Sequence, residues 1–124
     1  MITERLLFTL VTFSLHSDMP MAPASPLQLI SSAVNRLNIA NKVAGPNQKV
    51  EVINALKAVT INAAYVLGLE EDYGTISSGK YANITILDKN PLNIDPNSIS
   101  NIKVIGTIFE GKPFPAEKLI YKMN

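Results

Sequence analysis

The chain has 124 residues, 47% of them hydrophobic, and its 11 basic and 10 acidic residues leave a net charge of +1. That length suits one modest domain, and the composition is that of a globular chain rather than a disordered one. The even charge argues against nucleic acid as a partner, the absence of cysteine excludes disulfides and thiolate chemistry, and a single histidine, His16, cannot build a histidine-rich metal site.

Residues Met1 to Leu15 read MITERLLFTLVTFSL, and an Ala22-Pro23-Ala24 triplet follows. A charged start, an apolar run and small residues imitate a secretory signal, so the chain would be secreted if residues 1–24 act as a signal peptide. Two features oppose that reading. The run is rich in Phe, Val and Thr, which suit a buried strand, and it leads straight into the polar His16-Ser17-Asp18. The expected location is therefore cytoplasmic. The run is also too short to cross a bilayer, so no membrane is expected as a partner.

Three prolines within MPMAPASP make residues 19–26 a loop. Ser25-Pro26 then reads as a helix start, with a capping hydroxyl and a proline at the first helical position. Leu27, Ile30, Ala33, Val34 and Leu37 recur at helical spacing and predict a helix to Leu37. Asn38 to Asn47 is a connection. A second helix is predicted over Val50 to Val59, with Val52, Ile53, Leu56 and Val59 inward. Thr60 caps a further short helix to Leu67, stopped by Gly68.

From Tyr73 the period becomes strand-like. The stretch GTISSGKYANITILDKNP, Gly74 to Pro91, is a turn, a strand and a turn. Short strands are predicted at Thr75 to Ile76, Ala82 to Leu87 and Ile102 to Glu110. A turn at Glu110-Gly111-Lys112-Pro113 closes a hairpin onto Phe114. The tail from Glu117 is basic and weakly amphipathic.

One group of residues bears on chemistry. On a strand, His16 and Asp18 would share a face at the C-terminal end, the place where α/β folds put catalytic side chains. Asp18 could then ligate a divalent metal or take a proton from water. The residues alone favour a plainer reading, with Asp18 capping the next loop and His16 packed in a core. Ser17 points to the opposite face, which rules out a Ser-His-Asp triad. Arg36 reads as an anion contact or, more simply, as part of a solvated helix face. Asp88 ends a strand.

The segments FSLHSDMPMAP, SPLQLISSAVNR, ALKAVTINAAYVLGLEEDYGTISSGKYANITILDKNPL and NIKVIGTIFEGKPF, in that order, resemble the C-terminal part of the amidohydrolase superfamily, closest to its amidohydrolase-3 branch. The resemblance covers nearly all of Phe13 to Phe114. It implies an α+β chain made of the last strand and outer helices of a metal-dependent (β/α)8 barrel, followed by the C-terminal part of a β-sandwich. Val11 to Asp18 would be the eighth barrel strand. Residues 1–72 would end the barrel and residues 73–124 would supply the sandwich strands.

The same resemblance makes Asp18 the catalytic aspartate that contacts the metal and shuttles the proton of the attacking water. His16 would line the substrate pocket. The implied reaction is hydrolysis of non-peptide carbon–nitrogen bonds in a small-molecule substrate, with a divalent metal, zinc foremost, as cofactor.

Two departures stand out. Asn83 replaces the family's usual Asp, a structural change. The family's HxH pair, bridging Lys or Glu and later histidines have no counterpart here, and one Asp falls short of the roughly three protein ligands such a metal needs. The chain alone is therefore expected to bind no metal and to be inactive. Its partners would be a missing N-terminal barrel half or further copies of itself, because sandwich strands without neighbours leave open edges. The competing reading is a non-catalytic α+β remnant or interaction module.

Overall fold

The computed structural model describes residues 11–116. The leader-like run before Val11 and the tail after Ala116 lie outside the described residues. Three helices come first: α1 (Pro26–Asn35), α2 (Val52–Ala58) and α3 (Ile61–Val66). A three-stranded antiparallel sheet follows, in the order β1 (Ile84–Leu87), β2 (Val104–Phe109) and β3 (Lys112–Pro115). A 3-10 segment, Pro96–Asn101, links β1 to β2.

Helix α1 starts where Ser25-Pro26 puts it, but without a side-chain cap. The Ser25 carbonyl accepts the N–H groups of Gln28 and Leu29 instead, so the peptide group rather than the hydroxyl receives the first turn. The helix stops two residues before Leu37 because Arg36 takes a left-handed conformation, φ 57°. That conformation turns the Arg36 guanidinium onto the Ala44 carbonyl (2.9 Å) and Gln48 Oε1 (2.8 Å), which pins the connection behind it. The side chain is thus engaged within the chain rather than being only a solvated face.

Helices α2 and α3 fall inside the predicted ranges and meet at Val59-Thr60. Ile53, expected inward, is 42% exposed, and the small Ala55 and Ala58 are the buried residues of α2. The Thr60 hydroxyl caps nothing ahead of it; it donates back to the Leu56 carbonyl at 2.7 Å. Gly68 does end the helical run. Its N–H bonds to the Tyr65 carbonyl and the Leu69 N–H to the Ala64 carbonyl, the paired closure of a Schellman motif.

The core consists of Ile30, Val34, Ala55, Ile99 and Ile102, with Leu27, Val52, Leu56, Leu87 and Ile94 packed around it. Helix α1 supplies one side, α2 another, and the 3-10 segment closes it. Asn35 is the one buried polar side chain among the described residues. Its amide donates to the Pro96 carbonyl at 2.9 Å and to Ser31 Oγ at 3.1 Å, which offsets the cost of burial and fastens the segment to the helix.

Thr75 and Ile76 form no strand, contrary to their pattern. The neighbouring backbone is committed to turns: Lys80 N–H bonds to the Ser77 carbonyl with Gly79 (φ 89°) inside, and Tyr81 N–H bonds to the Asp72 carbonyl. The Lys80 ammonium reaches the carbonyls of Glu70 and Tyr73. Tyr73 and Tyr81 stack with ring centres 5.1 Å apart. Gly74 (φ 92°) is where this loop meets the helices. A Cβ there would lie 2.7 Å from Ile61 Cα and 3.0 Å from Ala64 Cβ.

The sheet obeys its turns. Phe109 pairs with Lys112 across the two-residue loop Glu110-Gly111, both at positive φ, as a type I′ hairpin requires. Asn83 Oδ1 accepts the Glu110 N–H at 2.8 Å. That bond uses only an acceptor oxygen, which an aspartate would offer equally. Asp88 Oδ1 accepts the Lys103 N–H and ends β1, as its sequence position predicts.

This packing sets the expected cost of three substitutions. Ile99→Ala, at a site with no exposed surface, should cost about 3 kcal/mol, read as a lowered urea midpoint at unchanged slope. Gly74→Ala should cost at least about 3 kcal/mol, because left-handed strain adds to a clash with backbone atoms that cannot move aside. Gly79→Ala, with nothing within 4 Å of the new methyl, should cost only about 1 kcal/mol. Equal midpoints for the two glycine variants would contradict the close packing of Gly74 on α3.

Candidate functional site

The segment that carries His16 and Asp18 is built differently from the expectation. Among the described residues, 11–18 pair with no strand, so no ladder there sets the strand face expected of His16 and Asp18. The reason is local. A strand needs a neighbouring backbone along its length, and among the described residues the backbone bonded to this segment is the junction of two helices.

Hydrogen bonds among the described residues tie the segment to that junction. The Leu15 N–H donates to the Ala58 carbonyl at 3.2 Å, and the Asn62 side-chain amide donates to the Phe13 carbonyl at 3.0 Å. Beyond Leu15 the chain passes through His16 and Ser17 to Asp18, whose φ of 51° turns it sharply. A turn follows, with a cis Met19–Pro20 peptide, closed by the Met21 N–H on the Asp18 carbonyl at 2.8 Å. His16 and Asp18 are both exposed. An exposed carboxylate is open to a proton or a cation arriving from solvent.

A metal site can be tested against the donors present. Among the described residues, no three of His, Cys, Asp and Glu come together as a group that could hold a metal ion. Asp18 offers one hard carboxylate and His16 one imidazole, and a catalytic zinc needs about three protein ligands. The described residues therefore do not by themselves make a complete catalytic metal site. Among the same residues, no helix is long and apolar enough to cross a membrane.

The signal that pointed to Asp18 was the polar cluster ending an apolar run. No comparable signal pointed to Asn62, which sits in the first turn of a short helix and reads there as an ordinary helix-start residue.

Comparison with known proteins supplies the context for these residues. The sequence profile of the Amidohydrolase family (Amidohydro_3) matches residues 3–114. The chain is 33% identical over 101 residues to an N-substituted formamide deformylase of Arthrobacter pascens, an alignment covering 82% of this chain and 19% of that protein. It is 29% identical over 100 residues to an imidazolonepropionase of Christiangramia forsetii, covering 76% of this chain and 24% of the relative. A 5-methylthioadenosine/S-adenosylhomocysteine deaminase of Teredinibacter turnerae is 34% identical over 62 residues, covering 48% and 14%. The chain thus spans a quarter or less of the length of these relatives. No solved structure gives a significant match. A profile match across all but the two ends of the sequence, through the His16–Asp18 segment, the helices and the hairpin alike, shows that the chain belongs to the amidohydrolase family.

Proposed function

We propose that this chain is the C-terminal part of a metal-dependent hydrolase of non-peptide carbon–nitrogen bonds, and that Asp18 is the carboxylate that takes the proton from the attacking water. The observation that carries the reading is the family match over residues 3–114, which spans the exposed Asp18. The names of two relatives, a deformylase of N-substituted formamides and a deaminase, fit cleavage of a carbon–nitrogen bond in a small molecule. A general base of this kind contributes about 10²- to 10⁴-fold to rate.

The finer assignments belong to the same proposal. Residues 1–72 form the end of a barrel, with 11–18 becoming its eighth strand when flanking strands supply the missing ladder. Residues 73–124 form strands of a composite sandwich, and His16 lines the substrate pocket. The family is generally metal-dependent, and zinc is the ion proposed. When bound, it would supply a water of lowered pKa, but its remaining ligands must come from outside the described residues. The isolated chain is accordingly proposed to be inactive, with a barrel half or further copies of itself as partner. One observation favours a second reading as a non-catalytic interaction module: large apolar side chains such as Ile39, Ile76 and Met21 stand exposed, which suits a surface meant to be covered.

Two measurements test the proposal. Titrating zinc into the chain alone should show no specific site, and N-formyl and N-acyl amines should stay intact; hydrolysis by the isolated chain would refute its incompleteness. Coexpression with the part of the Arthrobacter relative outside the aligned segment should yield an active assembly, and Asp18→Asn should slow it about 10²- to 10⁴-fold. An assembly whose rate is unchanged by Asp18→Asn would remove the aspartate from the mechanism, and one that gains no activity would favour the interaction module.

A further inference from the structure

Helix α2 ends at Ala58, and the last four carbonyls of any α-helix lack partners within the helix. Here the Leu56 carbonyl takes the Val59 N–H and the Thr60 hydroxyl, and the Lys57 carbonyl takes the Thr60 N–H. The Ala58 carbonyl takes the N–H of Leu15, three residues before Asp18. Four residues past Ala58, the Asn62 amide donates to the carbonyl of Phe13, 49 positions away in sequence. The two bonds grip the same short strap from adjoining helices and leave Asp18 just beyond the grip.

Asn62 is half-buried and Ala58 has no exposed surface, so water competes poorly for either bond. Asparagine is a poor helix former because its amide competes for backbone groups. In α3 that tendency is turned outward, onto another segment's carbonyl.

We infer that Asn62 is a positioning residue: its amide, with the Ala58 carbonyl, fixes the strap from Phe13 to Leu15 on the α2–α3 junction and so sets where Asp18 stands. The role assigned to Asp18 rests on the function proposed above, whereas the anchoring is a property of this chain alone. Moving a proton acceptor by about 1 Å costs on the order of 10²-fold in rate, so a single amide at this point has leverage on chemistry it does not touch.

Hydrogen exchange followed by mass spectrometry on the full chain tests the anchoring without any assay of activity. Asn62→Asp keeps the shape, removes the donor and sets a carboxylate against the Phe13 carbonyl. Exchange in the peptide covering 13–18 should rise about tenfold, while the peptides covering β1 and β2 keep their rates. Asn62→Gln, which retains the donor, should restore most of the protection. Unchanged exchange at 13–18 in the Asp variant would overturn the inference. Equal acceleration in the sheet would overturn it too, since Asn62 would then serve the whole fold rather than the strap. In the complemented assembly, Asn62→Asp should lower kcat more than it raises KM. Failure of Asp18→Asn to slow that assembly would refute the role of Asp18 and leave the exchange result standing.

Discussion

Ile99, fully buried in one cluster with Ile30 and Val34 of α1, Ala55 of α2 and Ile102 just ahead of β2, is the contact through which the helices and the sheet become one body. It lies in a 3-10 segment whose first residue is held to α1 by the Asn35 amide, so an apolar contact and a hydrogen bond fix the same six residues. Asp95 begins that segment by accepting the Asn97 N–H at its carboxylate. From there Ile102 enters the core, and Val104 opens β2 opposite Leu87, another residue packed against that core. The sheet therefore takes its position from a short irregular segment rather than from a helix of its own.

Much of this was legible in the sequence where local rules decide. Ser25-Pro26, the helical spacing of Ile30 and Val34 and the stop at Gly68 each rest on a conformational preference acting over a few residues. So does the turn after Phe109, which is two residues tighter than the expected Glu110 to Pro113 because Lys112 and Pro113 already belong to β3. The failures are equally specific. Ile53 matched the inward pattern, but α2 packs through Ala55 and Ala58, whose small side chains allow close approach and carry little hydrophobic signal. Leu37 matched the period of α1, but the Arg36 side chain found two acceptors that lie beyond the helix, and the helix ended there. Thr75-Ile76 has β-branched residues in a stretch whose backbone is already used in turns.

Asp18 stood out along the chain as a candidate and Asn62 did not, for a related reason. A polar cluster at the end of an apolar run is visible along the chain. A side-chain amide bonded to a carbonyl 49 residues earlier leaves no periodicity and no composition change. Asp18 was read on a strand, whereas its segment hangs from helix-end groups. The Ala58 carbonyl would lose that partner without it, so the strap has a defined place although no strand among the described residues pairs with it.

The sheet shows the same economy of backbone groups at its two edges. The Ala116 N–H bonds to the Ile105 carbonyl, and Phe109 faces Lys112 across the turn, so on β2 the odd-numbered residues 105, 107 and 109 exchange bonds with β3. Pro113 and Pro115 lie opposite Ile108 and Gly106, between those bonded pairs, and their nitrogens face away from the sheet. A proline nitrogen carries no hydrogen, so the outer edge of β3 offers no donor at either position and resists a further strand. On the other side, Ile108 and Gly106 bond to Ile84 and Ile86, which leaves Thr85 with its N–H and C=O directed outward from β1. Among the described residues, the β1 edge therefore keeps an outward donor and acceptor at Thr85 that the proline edge of β3 lacks. One edge is closed by the residues that make it and the other is left able to pair.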